Sequence, residues 1–304
     1  MGPRDRRQPR HLVLLALMFI ATTWSWRVCD AAMVIQGYDP DLHDRFVDHP
    51  SFIGNPYDWS GVGRSTLWAT LVSPSYFVSA THGHPGTGAV VRFYEGNQST
   101  GPYEEHTVIG GTQIAGSDLW LGRLETPVSN AIATYPILSL PNPAAFEGLE
   151  LFTFGLSNTS PTQTSMRLGR NELDEVLEDF SDPNLGASHG DVFVYDYDTT
   201  GGVGADESYL QGGDSGGPTF TIVNGTPVLL GIHWFIYSDD DGLGGIGSGD
   251  TLVSSYIDDL NAQMIGESVT PMSVPGPPAG VLAAVSLVLL AAFRRRLRVT
   301  TSEG

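Results

Sequence analysis

The sequence predicts an all-β protein, and three observations support this fold class. Short apolar runs bounded by turn residues dominate the middle of the chain, which is the pattern that β-strands produce. No long stretch carries the 3.6-residue apolar repeat of an amphipathic helix. Glycine and proline number 37 and 20 among 304 residues, as a chain with many tight turns requires.

The apolar runs give six strand candidates: Leu67–Val72, Tyr76–Ala80, Ala89–Tyr94, Glu150–Phe154, Val192–Tyr195 and Pro227–Phe235. Residues 140–143, with two prolines, are the expected link between two β units. A short helix is expected around Ser255–Ile265. The roughly 240 residues between the two ends of the chain are enough for one large all-β domain or two small ones packed together.

The first 31 residues read as a signal peptide. Four arginines precede the apolar run Leu12–Ala21, and small residues follow at Ala31 and Ala32, as signal peptidase requires. The alternative is an uncleaved N-terminal anchor. The single cysteine, Cys29, falls in this segment, so the exported body is expected to fold without disulfides.

Residues 271–304 read as a sorting tail. A proline-rich stretch precedes the apolar run 279–293, and four of the next five residues are arginine. The run reaches about 22 Å as a helix, short of a ~30 Å hydrocarbon core. The tail resembles the bacterial PEP-CTERM signal that an exosortase processes, although Gly276 stands where that motif has glutamate. The alternative is a plain short membrane tail. The chain is therefore expected outside the cell or in a bacterial envelope, with this membrane tail removed or retained.

The charge distribution excludes nucleic acid as a partner. The chain has no lysine, and the body between residues 32 and 293 keeps six of 15 arginines but 31 of 34 acidic residues. Its formal net charge is therefore near −25, which repels polyanions. Solubility explains this charge more simply than substrate steering does.

The strongest chemical motif is Gly-Asp-Ser-Gly-Gly-Pro at residues 213–218. A serine hydroxyl is a weak nucleophile unless a base lies within hydrogen-bond reach and N–H groups face the developing oxyanion. Glycines around Ser215 let the backbone turn sharply enough to supply such N–H groups. The same residues also fit the G-x-S-x-G elbow of α/β-hydrolases, whose acid and histidine follow the serine.

This motif and four others resemble the trypsin/chymotrypsin-like serine proteases, in the same order, across roughly residues 33–265. The other matches are Val78–His82, Ser117–Leu124, Leu230–Trp234 and Leu252–Ile257. The resemblance implies two packed six-stranded antiparallel β-barrels with a short C-terminal helix. The protease domain would span 32–270, with barrels at about 32–140 and 141–265.

The resemblance also implies a catalytic triad of His82, Asp118 and Ser215. This order matches chymotrypsin, whereas an α/β-hydrolase needs an acid and a histidine after the serine, and only His233 follows it. The backbone N–H groups of Gly213 and Ser215 would form the oxyanion hole. The family's counterpart of Asp214 accepts the N-terminal ammonium, which signal peptidase would expose here near Met33.

Departures from the family bear on specificity. Tyr209 stands where trypsin has its pocket aspartate, so cleavage after Lys or Arg is not expected. Phe235 follows Trp234 where a glycine keeps the pocket open, and His233 replaces a serine beside the catalytic aspartate. His233 is expected to hydrogen-bond Asp118 or merely to pack, and the pocket to be apolar and shallow.

The predicted function is therefore an exported serine endopeptidase acting on protein or peptide substrates. The alternative is a surface or binding protein that keeps the fold with weak catalysis. No cofactor is required, although trypsins bind calcium in a loop that corresponds to the one between Glu95 and Glu105. A solvated hairpin is the other reading of that loop, and no histidine pair has metal-ligand spacing. Four histidines outside the motifs are expected to be solvated: His43, His49, His106 and His189.

Overall fold

The computed structural model describes residues 32–157, 162–238 and 245–273. The strands of its first part are β1 (Val34–Ile35), β2 (Val62–Arg64), β3 (Trp68–Ser73), β4 (Tyr76–Ala80), β5 (Val90–Tyr94), β6 (Tyr103–Gln113), β7 (Leu119–Leu124) and β8 (Ile137–Leu138). Those of the second part are β9 (Glu150–Gly155), β10 (Arg167–Glu172), β11 (Glu175–Ser181), β12 (His189–Asp196), β13 (Ser208–Tyr209), β14 (Pro218–Val223), β15 (Thr226–Tyr237), β16 (Gly247–Leu252) and β17 (Pro271–Met272).

Two α-helices occur in the described residues, α1 (Pro40–His43) and α2 (Ile257–Gln263). A 3₁₀ turn at Val253–Tyr256 leads into α2, which gives the short C-terminal helix that the sequence predicts. None of the helices in residues 32–157, 162–238 and 245–273 is long and apolar enough to cross a membrane. The predicted signal peptide and the apolar run 279–293 lie outside the described residues.

Six strands of the first half close into an antiparallel barrel in the order β2-β3-β4-β7-β6-β5. Closure comes from the pairing of Arg64 on β2 with Arg92 on β5. Strand β3 is fully buried along its length, as its apolar run requires. This part of the fold confirms one of the two predicted barrels.

The second half forms a nine-stranded sheet whose main path is β10-β9-β14-β15-β16-β12-β11, with β8 and β17 attached. Only the first of the two sheets closes on itself among the described residues. Strand β8 already pairs with β15, so the chain enters the second sheet before the proline-rich link at 140–143. Strand β1 pairs with β13 apart from both sheets.

A shared apolar core joins the two halves. Trp59 and Trp68 from the first half pack in one cluster with Phe154, Phe220 and Leu229 from the second. The ring centroids of Trp59 and Phe154 are 5.2 Å apart. Because burial of such rings stabilises a fold in proportion to their contact area, this shared core holds the two halves together.

Candidate active site

Strand pairing brings His82 and Asp118 together although they are 36 residues apart. His82 lies two residues after β4, and Asp118 lies just before β7. Those strands are antiparallel, with Ala80 opposite Leu119, so the end of one meets the start of the other. The predicted histidine and aspartate therefore meet at one edge of the barrel.

The His82–Asp118 pair is close and asymmetric in exposure. His82 Nδ1 lies 2.6 Å from Asp118 Oδ2, and the His82 backbone N–H donates to Asp118 Oδ1 at 3.3 Å. The side chain of His82 is 42% exposed, whereas that of Asp118 is 3% exposed. With Nδ1–H held by the carboxylate, Nε2 is the nitrogen left to exchange a proton.

Ser215 approaches this pair from the second half of the chain. A Cβ on Gly83, next to His82, would lie 3.4 Å from Ser215 Cβ. Gly216 has φ +80°, and a Cβ there would lie 2.5 Å from Ser79 Oγ, so glycine is required for this approach. No hydrogen bond joins Ser215 to His82 among the described residues; such bonds are often long without substrate.

The loop around Ser215 leaves two N–H groups free. The N–H groups of Asp214, Gly216 and Gly217 donate to backbone carbonyls at 2.9–3.1 Å. Those of Gly213 and Ser215 have no acceptor within the described part of the chain. These are the two groups predicted to bind an oxyanion.

Asp214 is a buried carboxyl group beneath the same loop. Its oxygens accept hydrogen bonds from the N–H groups of Leu156 and Gln211, each at 2.7 Å. Burial raises the pKa of Asp214 to about 7. Met33 is fully buried and close by, since a Cβ on Gly155 would lie 2.5 Å from Met33 Cβ and 3.0 Å from Asp214 Oδ1.

A second histidine–aspartate pair, absent from the sequence predictions, lies behind Ser215. His233 on β15 places Nδ1 2.9 Å from Asp250 Oδ1, and its Nε2 lies 2.7 Å from the carbonyl oxygen of Phe154. The sequence predicted that His233 would hydrogen-bond Asp118 or merely pack; in the structure it binds Asp250 instead. Burial lowers the pKa of His233, but the Asp250 carboxylate outweighs it and holds the pKa above its ordinary value.

A cavity of about 220 Å³ opens beside Ser215. Its apolar wall consists of Leu185, Leu210, Trp234, Phe235 and Ile236. Three of the four predicted pocket residues, His233, Trp234 and Phe235, line it. Tyr209 is not a lining residue; it pairs with Val34 and packs on Tyr197 with ring centroids 5.9 Å apart.

The loop predicted to bind calcium is a hairpin in the structure. Glu105 lies on β6 and its Oε1 accepts hydrogen bonds from Arg92 Nε at 3.0 Å and from Nη2 at 2.7 Å. Glu95 is exposed at the start of the turn. As the structure stands, no three His, Cys, Asp or Glu side chains of the described ranges are arranged to hold a metal ion. The calcium site at this loop remains a prediction.

Two histidines expected to be solvated are buried. His43 is 0% exposed and binds Asp206 Oδ1 at 3.1 Å, and His106 is 7% exposed with its Nε2 2.9 Å from Glu104 Oε2. In both cases a carboxylate satisfies the buried ring. The partner of His43 is 163 residues away and leaves no local signal, whereas Glu104 lies two residues before His106 on the same strand. His84 stacks on Trp120 with centroids 3.7 Å apart.

No protein-family model matches this chain, and a search of curated proteins finds no match either. The resemblance to trypsin-like proteases therefore rests on the sequence motifs.

Proposed function

We propose that this chain is an exported serine endopeptidase that uses His82, Asp118 and Ser215. The observation that carries the proposal is the 2.6 Å contact of His82 Nδ1 with Asp118 Oδ2, with Ser215 packed against the neighbouring Gly83. Nucleophilic acyl transfer needs a serine, a histidine and an aspartate close together, and these two contacts support that assignment.

The proposed chemistry follows from the roles of these groups. Ser215 Oγ attacks the peptide carbonyl carbon while His82 Nε2 takes the hydroxyl proton, and His82 then gives that proton to the leaving amine. Asp118 holds the imidazole orientation and stabilises the imidazolium. The free N–H groups of Gly213 and Ser215 stabilise the oxyanion. Water releases the acyl group by the same steps.

The two-barrel protease fold is part of this proposal. The closed barrel would be the first, and the nine-stranded sheet would be the second barrel with additional strands. Export by signal peptidase, with exosortase processing or membrane retention of the tail, completes it. Met33 beside Asp214 supports a mature N-terminus near that residue, where a new ammonium group would pair with the buried carboxyl.

A fluorophosphonate probe tests the proposal directly, because it reacts only with an activated serine. The purified protein should be labelled, Ser215→Ala should not be, and Ser255→Ala, at an exposed serine outside the site, should be labelled like the wild type. A peptide library should then show cleavage after apolar side chains, given the apolar wall of the cavity. Equal labelling of wild type and Ser215→Ala, or no labelling of either, contradicts the proposal; the second result favours the alternative of a non-catalytic binding protein.

A further inference from the structure

The loop between β12 and β13 carries an acidic spacing that the proposed protease chemistry does not use. Asp196, Asp198, Thr200, Gly201 and Glu207 occupy positions 1, 3, 5, 6 and 12 of residues 196–207. Calcium loops of the pattern D-x-[DN]-x-[DN]-G-x₅-E place oxygen ligands at positions 1, 3, 5 and 12, with a glycine at the sharp turn. Thr200 departs from the pattern only in offering a hydroxyl oxygen.

Glu207 is a buried carboxylate with an unused oxygen. Its exposure is 0%, and its Oε2 accepts a hydrogen bond from the Val203 N–H at 2.8 Å. Its Oε1 has no hydrogen-bond partner within residues 32–157, 162–238 and 245–273. A Cβ on Gly202 would lie 2.3 Å from Glu207 Oε2 and 2.9 Å from Asp198 Cβ, so both acidic side chains approach the same glycine. A carboxylate left in this state is costly, and either a proton or a bound cation relieves the cost.

The acidic side chains around this loop carry charge of the same sign. Asp198 lies beside Glu207 at Gly202, and Asp174 lies at the start of the loop. Asp174 Oδ2 accepts a hydrogen bond from the Asp196 N–H at 2.7 Å, which fixes it at the start of the loop. A divalent cation would relieve this repulsion.

We propose that residues 196–207 bind a calcium ion. The ligands are the carboxylates of Asp196, Asp198 and Glu207, the hydroxyl of Thr200 and the carbonyl oxygen of Gly202, with water completing the roughly six to eight oxygens that Ca²⁺ takes. The carboxylates of this loop do not converge in the described structure, so binding requires the loop to close on the ion. Closure is feasible because Asp198 and Thr200 are exposed.

Calcium binding reaches the candidate active site through two contacts. The N–H groups of Gln36 and Gly37 donate to the carbonyls of Glu207 and Ala205 at 2.9 and 2.7 Å, so the loop holds the segment that follows Met33. The chain after Glu207 forms β13 and then the wall of the cavity beside Ser215. We expect calcium to raise peptidase activity by ordering this wall, and this expectation rests on the proposed function.

Calorimetric titration of CaCl₂ into the chelator-treated full-length protein tests the site without reference to catalysis, and Ser215→Ala serves as the background if self-cleavage interferes. One ion should bind with a dissociation constant of about 10⁻⁵–10⁻³ M. Glu207→Gln and Asp198→Asn should each weaken binding by about tenfold or more, because each removes a charged ligand. The control variant, with Glu95→Gln and Glu105→Gln together, should bind as the wild type does.

Three results overturn this site: no binding up to about 10 mM calcium, unchanged binding in both single variants, or loss of binding in the control variant. If Glu207→Gln does not fold, the exposed Asp198→Asn decides alone. Calcium binding in a chain that takes no fluorophosphonate label leaves the site standing and removes the proposed function.

Discussion

The described part of the molecule contains two histidine–aspartate pairs in which Nδ1 of the histidine contacts the carboxylate, but one pair is at the surface and the other is buried. His82 and Asp118 lie at the barrel edge, with the histidine 42% exposed. His233 and Asp250 lie between two strands of the second sheet, at 1% and 0% exposure. In the first pair, Nε2 of His82 has no hydrogen-bond partner in the described part of the chain. In the second, both ring nitrogens face acceptor oxygens.

The difference shows that two properties determine what such a pair can do: the exposure of the histidine to solvent and the hydrogen-bond partner of its second ring nitrogen. His233 is held as an imidazolium because both of its nitrogens donate, so it cannot exchange protons with a substrate. The ring of His233 instead links β15 to Asp250 and to the Phe154 carbonyl oxygen. The main chain of His233 exchanges hydrogen bonds with Gly216 and Gly217 at 3.0 and 2.9 Å, so the residue lies directly against the loop that carries Ser215. One pair is suited to chemistry, and the other is structural.

The largest expected effect separates the pairs by activity. His82→Ala should lower kcat by about 10⁶-fold, on the precedent of triad serine proteases, while the free energy of unfolding changes by about 1 kcal/mol or less because His82 is half exposed. Peptide hydrolysis and urea unfolding measure the two quantities. A variant that keeps substantial turnover would remove His82 from the mechanism.

The second effect concerns stability. Asp250→Asn should lower the free energy of unfolding by roughly 3–5 kcal/mol, because it leaves a buried imidazolium without its counter-ion. Asp48→Asn, at an exposed residue, should change it by less than about 0.5 kcal/mol. Urea unfolding followed by tryptophan fluorescence measures both. A cost below about 1 kcal/mol for Asp250→Asn would show that the pair is not charged.

The third and smallest effect comes from Asp214, whose pKa of about 7 reflects burial, eased by the positive charges of His233 and Arg64. A raised carboxyl pKa means that the folded state keeps its proton up to a higher pH than the unfolded state does. The stabilisation that comes from this bound proton is fully present below about pH 4 and is lost as pH rises through 7. In the unprocessed chain, where Met33 has no free amine, Asp214→Asn should therefore lessen the loss of stability between pH 5 and pH 8 by on the order of 2 kcal/mol.

Unfolding curves at both pH values check this, with Asp48→Asn as the matched control. Since Glu207 also has a raised pKa, the difference between wild type and Asp214→Asn is the relevant quantity. The same pH dependence in both proteins would mean that Asp214 is ionised throughout, as it would be if an N-terminal ammonium paired with it.

Much of the fold could be predicted because apolar strands show their pattern locally. The candidate Tyr76–Ala80 has the same bounds as β4, and the other five candidates overlap observed strands. Strands β10 and β11 were not predicted, since one is rich in buried polar residues and the other in acidic ones. Arg167 on β10 can be buried because Asp44 and the carbonyl oxygens of Met33 and Ser157 accept its hydrogen bonds. Asp44 and Met33 are more than 100 residues away, so they leave no local pattern.

The candidate site was predictable where a motif carried it. The residues His82, Asp118 and Ser215 came from their order and flanking residues, and the structure brings them to one edge. The partner of His233 was not predictable, because Asp250 lies 17 residues away on a neighbouring strand. The spacing of Asp196, Asp198 and Glu207 could have been found in the sequence, but only the unpaired Glu207 oxygen gives it weight.

The burial of Met33 has a consequence for protein chemistry. The 304 residues contain no lysine, so the α-amino group is the single primary amine that they can present to an acylating reagent. If the mature chain begins at Met33, that amine lies beneath the Ser215 loop, and succinimidyl esters should modify it in the unfolded protein but hardly in the folded one. Mass spectrometry of the intact chain would then distinguish unfolded molecules, which carry one added group, from folded molecules, which do not.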